Sequence, residues 1–170
     1  MEVINKFIDT ESEPDLIADN VEVLYTDSAR LQMKMTTPLL KQFTTASEQR
    51  DEFTEGIHVW FYENDGELNA EVTANWAKHD KITDIWEARS NVVLTKADGQ
   101  MLETEQLFWD VKKAVVYSEK YTKYTDTKTG NISSGESFWA IQDFNEYKLS
   151  NITGIGRTVI YMRDEDENKD

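Results

Sequence analysis

Asp98-Gly99 separates two extended, β-forming stretches, residues 92–96 and 101–110, which is the signature of a tight hairpin. The device recurs along the chain. Asp65-Gly66 precedes Trp76, Asp98-Gly99 precedes Trp109, and Thr129-Gly130 precedes Trp139. The Gly-to-Trp spacing is ten residues in the first two cases and nine in the third. Such a chain reads as a series of two-strand units stacked to share one apolar interior.

The segments around this hairpin fit the same reading. Residues 16–25 hold enough Val, Ile and Leu for a first strand, and Thr26-Asp27-Ser28 is turn chemistry. In residues 30–36, Leu31, Met33 and Met35 alternate with Arg30, Gln32 and Lys34, a period of two that turns the Leu-Met-Met face inward. Pro38 lacks a donor and restricts Thr37, so a break or a sheet edge is expected before the strand resumes at Leu39. The polar residues 44–51 predict a loop or one helical turn. Ile57, Val59 and Phe61 then share one face, and His58, Trp60 and Tyr62 the other.

Residues 67–77 alternate without a fault, Leu68, Ala70, Val72, Ala74 and Trp76 against polar neighbours. They predict one strand, roughly 35 Å long at about 3.3 Å per residue, which suits an elongated sheet better than a compact barrel. His79-Asp80-Lys81 predicts a reversal. Leu102 and Thr104 share a face, but Leu107 and Trp109 are out of phase with them, which predicts a bulge or a corner. Further extended segments cover residues 114–124, 132–141, 147–152 and 158–162, and no window carries a helical apolar stripe. The fold class is all-β and antiparallel. Residues 15–162 form one domain, preceded by a flexible lead-in (1–14) and followed by an acidic tail (163–170) expected to be disordered.

Composition narrows the function. With 18 Lys+Arg against 33 Asp+Glu the formal charge is −15, which opposes nucleic-acid binding through phosphates. The absence of cysteine excludes disulfides, thiolate metal sites and cysteine nucleophiles. No apolar run approaches the roughly 20 residues of a membrane span, so any anchor or signal is expected upstream. His58 and His79 lack metal-ligand spacing, Glu103 and Glu105 read as a solvated strand face, and Gly154-Ile155-Gly156 lacks the lysine and third glycine of a phosphate cradle. Asn131 and Asn151 stand in sequon triplets and read as polar residues at strand edges. Neither an enzyme nor a cofactor is expected. The alternating faces remain, as an ordinary sandwich core or as the lining of a groove.

Residues 86–110, WEARSNVVLTKADGQMLETEQLFWD, are similar to the central hairpin of the LptC family, in a form like that of Bacteroides-type bacteria. MTTPLLKQF (35–43), Tyr117-Ser118, Gly135-Glu136-Ser137-Phe138 and LSNITG (149–154) resemble its other motifs, so the likeness spans about residues 16–154. The resemblance implies an elongated, twisted, open β-jelly-roll of OstA-like type without enzymatic activity. It implies a place in the periplasm at the inner membrane, native anchoring there, and lipopolysaccharide as cargo. The cargo, bound through its lipid A acyl chains, would come from the ABC transporter and pass to the bridge protein LptA. Acyl burial at about 0.8 kcal/mol per CH₂ outweighs repulsion between acidic protein and lipid phosphates, which is screened beyond about 8 Å.

On that reading Met33, Met35, Ile57, Val59, Phe61, Leu68, Val72 and Trp76 line the groove, joined through the family motif by Leu102, Leu107 and Trp109. Two strand edges would serve partners: Leu16, Val21 and Val23 toward the transporter, Tyr147, Leu149 and Ile152 toward the bridge protein. The alternative is an OstA-like module with a filled core that docks envelope proteins and carries no lipid.

Overall fold

The structure, a computed structural model, describes residues 13–142, 146–152 and 157–163, with side chains described as far as residue 150. The lead-in up to residue 12, the tail from residue 164 and the side chain of Ile152 lie outside the described residues.

Strands β1 (Leu16–Asp27), β2 (Arg30–Thr44), β3 (Gln49–Phe53), β4 (Ile57–Tyr62), β5 (Leu68–Ala74), β6 (Trp76–Asp80) and β7 (Ile85–Lys96) form the first half. The second half comprises β8 (Gln100–Asp110), β9 (Val115–Ser118), β10 (Thr122–Asp126), β11 (Ile132–Gly135), β12 (Ser137–Ile141), β13 (Glu146–Ile152) and β14 (Arg157–Arg163). All belong to one antiparallel sheet, and the described residues contain no helix. The protein is therefore all-β, a twisted, open, jelly-roll-like sheet.

The sheet has two arms that share their long strands. In the first arm β2, β4, β5, β7, β8, β10 and β11 pair in that order. In the second the order is β2, β3, β6, β7, β8, β9, β12, β13, β14. β1 flanks β2 throughout. Each arm is thus a meander, and β1, β2, β7 and β8 run through both.

A crease separates the arms, and its causes are local. In β7, Ser90 and Asn91 adopt φ of 62° and 53°, and the ladder to β8 shifts between Arg89 and Val92. This bulge bends the strand from one arm into the other. At the same level Pro38 of β2 lies opposite Asn20, which has φ 51° and is skipped in the β1–β2 register. Pro38 does not end its strand, because its missing N–H falls where the ladder is already interrupted. Backbone groups released along the crease find partners: Thr37 Oγ1 donates to the Gly56 carbonyl (2.8 Å) and Asn75 N to the Ser90 carbonyl (3.0 Å). Thr104 Oγ1 donates to the Tyr121 carbonyl (3.0 Å) and lies 3.0 Å from Ser118 Oγ.

The crease also revises the unbroken alternation of residues 67–77. The chain kinks at Asn75 and divides into β5 and β6, so the inward phase moves from Ala70 and Ala74 to Ala77. The expected loop at 44–51 shrinks to residues 45–48, since β3 pairs with both β2 and β6 and delivers Phe53 to the core. The reversal expected at His79-Asp80-Lys81 lies slightly later, where Asp80 Oδ1 accepts the backbone N–H groups of Ile82 (2.9 Å) and Thr83 (3.0 Å).

Candidate functional site

Residues directly opposite in adjacent strands share a face, so the ladders trace each inner surface. Across the first arm Met35, Val59, Val72, Leu94, Leu102 and Tyr124 form one row. Beside it run Met33, Phe61, Ala70 and Lys96. In the second arm the rows are Phe53, Ala77, Ala88, Leu107 and His79, Trp86, Trp109, Val116, Ala140, Tyr147. Residues of both arms belong to a single buried cluster, so the sheet is folded along the crease with its apolar faces together.

Away from the crease the arms meet through aromatic rings. Phe61 stands edge-on to Trp109 with centroids 5.7 Å apart, and Tyr124 lies 5.1 Å from Tyr147. Trp86 is stacked between Phe53 (5.8 Å) and His79 (4.2 Å), while His79 Nε2 lies 2.8 Å from Asp84 Oδ1. Between the arms a small cleft of about 10 Å³ is lined by Leu94, Lys96, Gln100, Met101, Leu102, Tyr124, Phe138 and Tyr147. The interior is closed and filled in this state.

Most of the residues expected to face inward are brought together. Met35, Ile57, Val59, Leu102 and Leu107 are buried in the central cluster, with Met33, Phe61, Val72 and Trp109 packed against it. The shift of phase in β8 is the predicted corner, and it places Leu107 and Trp109 on the same inner face as Leu102. Two residues are not brought in. Trp76 follows the kink at Asn75 and stands opposite Arg89, whose guanidinium lies 4.5 Å from its ring. Leu68, at the start of β5, is 40% exposed at the rim.

Of the edge residues, Leu16 is exposed on β1, whereas Val21 and Val23 pack on the core. Tyr147 and Leu149 are buried, so their side chains belong to the interior as well. Sequence reasoning missed Phe53, Trp86, Tyr124 and Phe138. Phe53 follows a polar run, and nothing short of the pairing of β3 reveals its depth; Phe138 stood inside a motif whose inward direction depends on Ser118 lying opposite.

Several polar groups are held by their neighbours. Glu87, on the outer face, is buried and accepts from Arg89 Nε (2.5 Å) and Gln106 Nε2 (2.6 Å). Burial pushes its carboxyl up, but the hydrogen bonds from Arg89 and Gln106 prevail and hold it below its ordinary value. His58 stacks on Trp60 (3.6 Å) and meets Glu71 (2.8 Å) away from the interior. Among the described residues no group of three or more His, Cys, Asp or Glu is disposed to hold a metal ion. Among them too, no helix is long and apolar enough to cross a membrane.

A folded sheet with a mostly apolar lining is what the family comparison addresses. The family model for lipopolysaccharide assembly, LptC-related, matches residues 4–136. The chain belongs to the LptC family. LptC proteins are components of lipopolysaccharide transport in the cell envelope, not a family of enzymes, and this chain's role lies in that process. The match ends at the break between β11 and β12, so it covers the strands of the first arm and those of the second as far as β9. A search of curated proteins finds no match.

Proposed function

We propose that this LptC protein binds lipopolysaccharide through its acyl chains between the two arms, and passes it from the inner-membrane ABC transporter to an LptA-like bridge protein. It works in the periplasm beside the inner membrane. One observation supports this most: the inner rows of both arms are almost wholly apolar, and away from the crease the arms meet through side-chain packing. Such contacts are exchangeable. Each CH₂ of an acyl chain buried against the rows contributes about 0.8 kcal/mol, so a chain of ten or so carbons replaces the aromatic contacts it displaces.

The exposed edge of β1, with Leu16, Ile17, Leu24 and Tyr25 all more than 45% exposed, supports strand addition on the transporter side. The β13–β14 end would serve the bridge protein through its backbone edge. The filled interior favours the second reading, a docking module that carries no lipid.

Displacement of a hydrophobic dye by lipid A, at low and high salt and alongside native mass spectrometry, separates the two. Saturable displacement that is nearly independent of salt is expected; absence of binding, or binding abolished by salt, favours the docking module. Val72→Asp places a charge at the centre of the first-arm row and should abolish crosslinking to lipopolysaccharide. Retention of both fold and crosslinking would remove Val72 from the lining.

A further inference from the structure

Lys96 is the cation of the first-arm inner rows. It continues the row of Met33, Phe61 and Ala70, and its side chain is only 10% exposed. Its Nζ lies 3.2 Å from Asp98 Oδ2, on a carboxylate that is 42% exposed in the β7–β8 turn. The other oxygen of Asp98 accepts the Gln100 N–H at 3.1 Å. Lys96 and Gln100 stand at the cleft between the arms, where Leu94, Leu102 and Phe138 supply apolar walls and Tyr124 and Tyr147 meet.

An apolar cleft that ends on an ammonium is shaped for an amphiphile with an anionic head. We propose that Lys96 anchors a phosphate of lipid A at this cleft, with the acyl chains running from there between the arms. The inference rests on the lipid-carrying function proposed above. Lys96 lines the cleft together with its apolar walls, and an aliphatic stem that ends in an ammonium suits a ligand that is apolar along its length and anionic at its head. A phosphate held there makes a charge-assisted hydrogen bond in surroundings drier than bulk water, where such bonds are strong. In a chain of net charge −15 this cation sets which end of the lipid enters first. Asp98, 42% exposed at its turn, acts as a resident counter-ion that the phosphate displaces.

The test compares bisphosphorylated lipid A with its dephosphorylated form in the dye-displacement assay. The wild-type protein should prefer the phosphorylated form by about tenfold, the size of one charged hydrogen bond. Lys96→Met, which keeps the stem, should erase that ratio, and Lys96→Arg should restore it. Asp98→Asn removes the competing carboxylate and should raise the preference by about threefold. An unchanged ratio in a folded Lys96→Met protein would overturn the anchor, leaving Lys96 as a staple of the turn. Failure of the wild-type protein to bind either lipid overturns the lipid-carrying function itself, and the anchor with it.

Discussion

Ser28 and Ala29 turn the first hairpin with φ of 51° and 62°, the left-handed pair that a two-residue turn between twisted strands requires. Neither residue adopts that region easily, and each carries roughly 1 kcal/mol of backbone strain. Replacing Ser28 by Asn and Ala29 by Gly should therefore stabilise the protein by about 1 kcal/mol, read as a higher urea midpoint at unchanged slope. Glu87 carries a second prediction. Its carboxyl is held below the ordinary value of 4.5, so its contribution is present above that pH and is lost as pH falls through the lower folded value. Urea midpoints of the wild type should drop on acidification below about pH 4.5, and Glu87→Gln should show a shallower drop with a lower midpoint at pH 7. Asp80 and Asp126 act in the same direction, each held low first by a backbone N–H, from Thr83 and Thr129.

At the scale of elements the crease decides the architecture. β1, β2, β7 and β8 cross it by bending, while the remaining pairs break: β3 from β4, β5 from β6, β9 from β10, β11 from β12. The last of these breaks depends on Gly135, where a Cβ would collide with the Ser150 carbonyl of β13. The rigid backbone on both sides offers no relief. Gly135→Ala should cost roughly 1–3 kcal/mol and loosen β13, seen as faster amide exchange at Tyr147 and Leu149 with the first arm unaffected. Equal loss of protection across both arms would show instead that the crease unfolds as one unit.

For the whole molecule, the proposed carriage of lipid between the arms requires them to part. The Phe61–Trp109 contact is the place to hold them shut, and a chain without cysteine makes the experiment clean. A double variant with cysteine at both positions, joined by a short bis-maleimide, should stop displacing dye in the presence of lipid A, whereas the unlinked variant should continue. Displacement by the linked protein would place the lipid outside the interior.

The alternation of Met33 with Met35 and of Ile57, Val59 and Phe61, the Gly99 turn and the phase shift of β8 were all legible in the sequence, because strand periodicity and turn chemistry are local properties of the backbone. They determined an all-β meander with one apolar face. Trp76 shared that pattern but not that face, since alternation carries no record of a kink at Asn75 imposed by the fold of the neighbouring strands, and Leu68 stands at the exposed start of β5. Phe53, Trp86 and Lys96 acquired their positions only when β3, β6 and β7 came into register. Which side chains face each other across the interior was decided by tertiary structure, because that depends on where the sheet folds, and the fold line is fixed by bulges and hydrogen bonds between residues far apart in the chain.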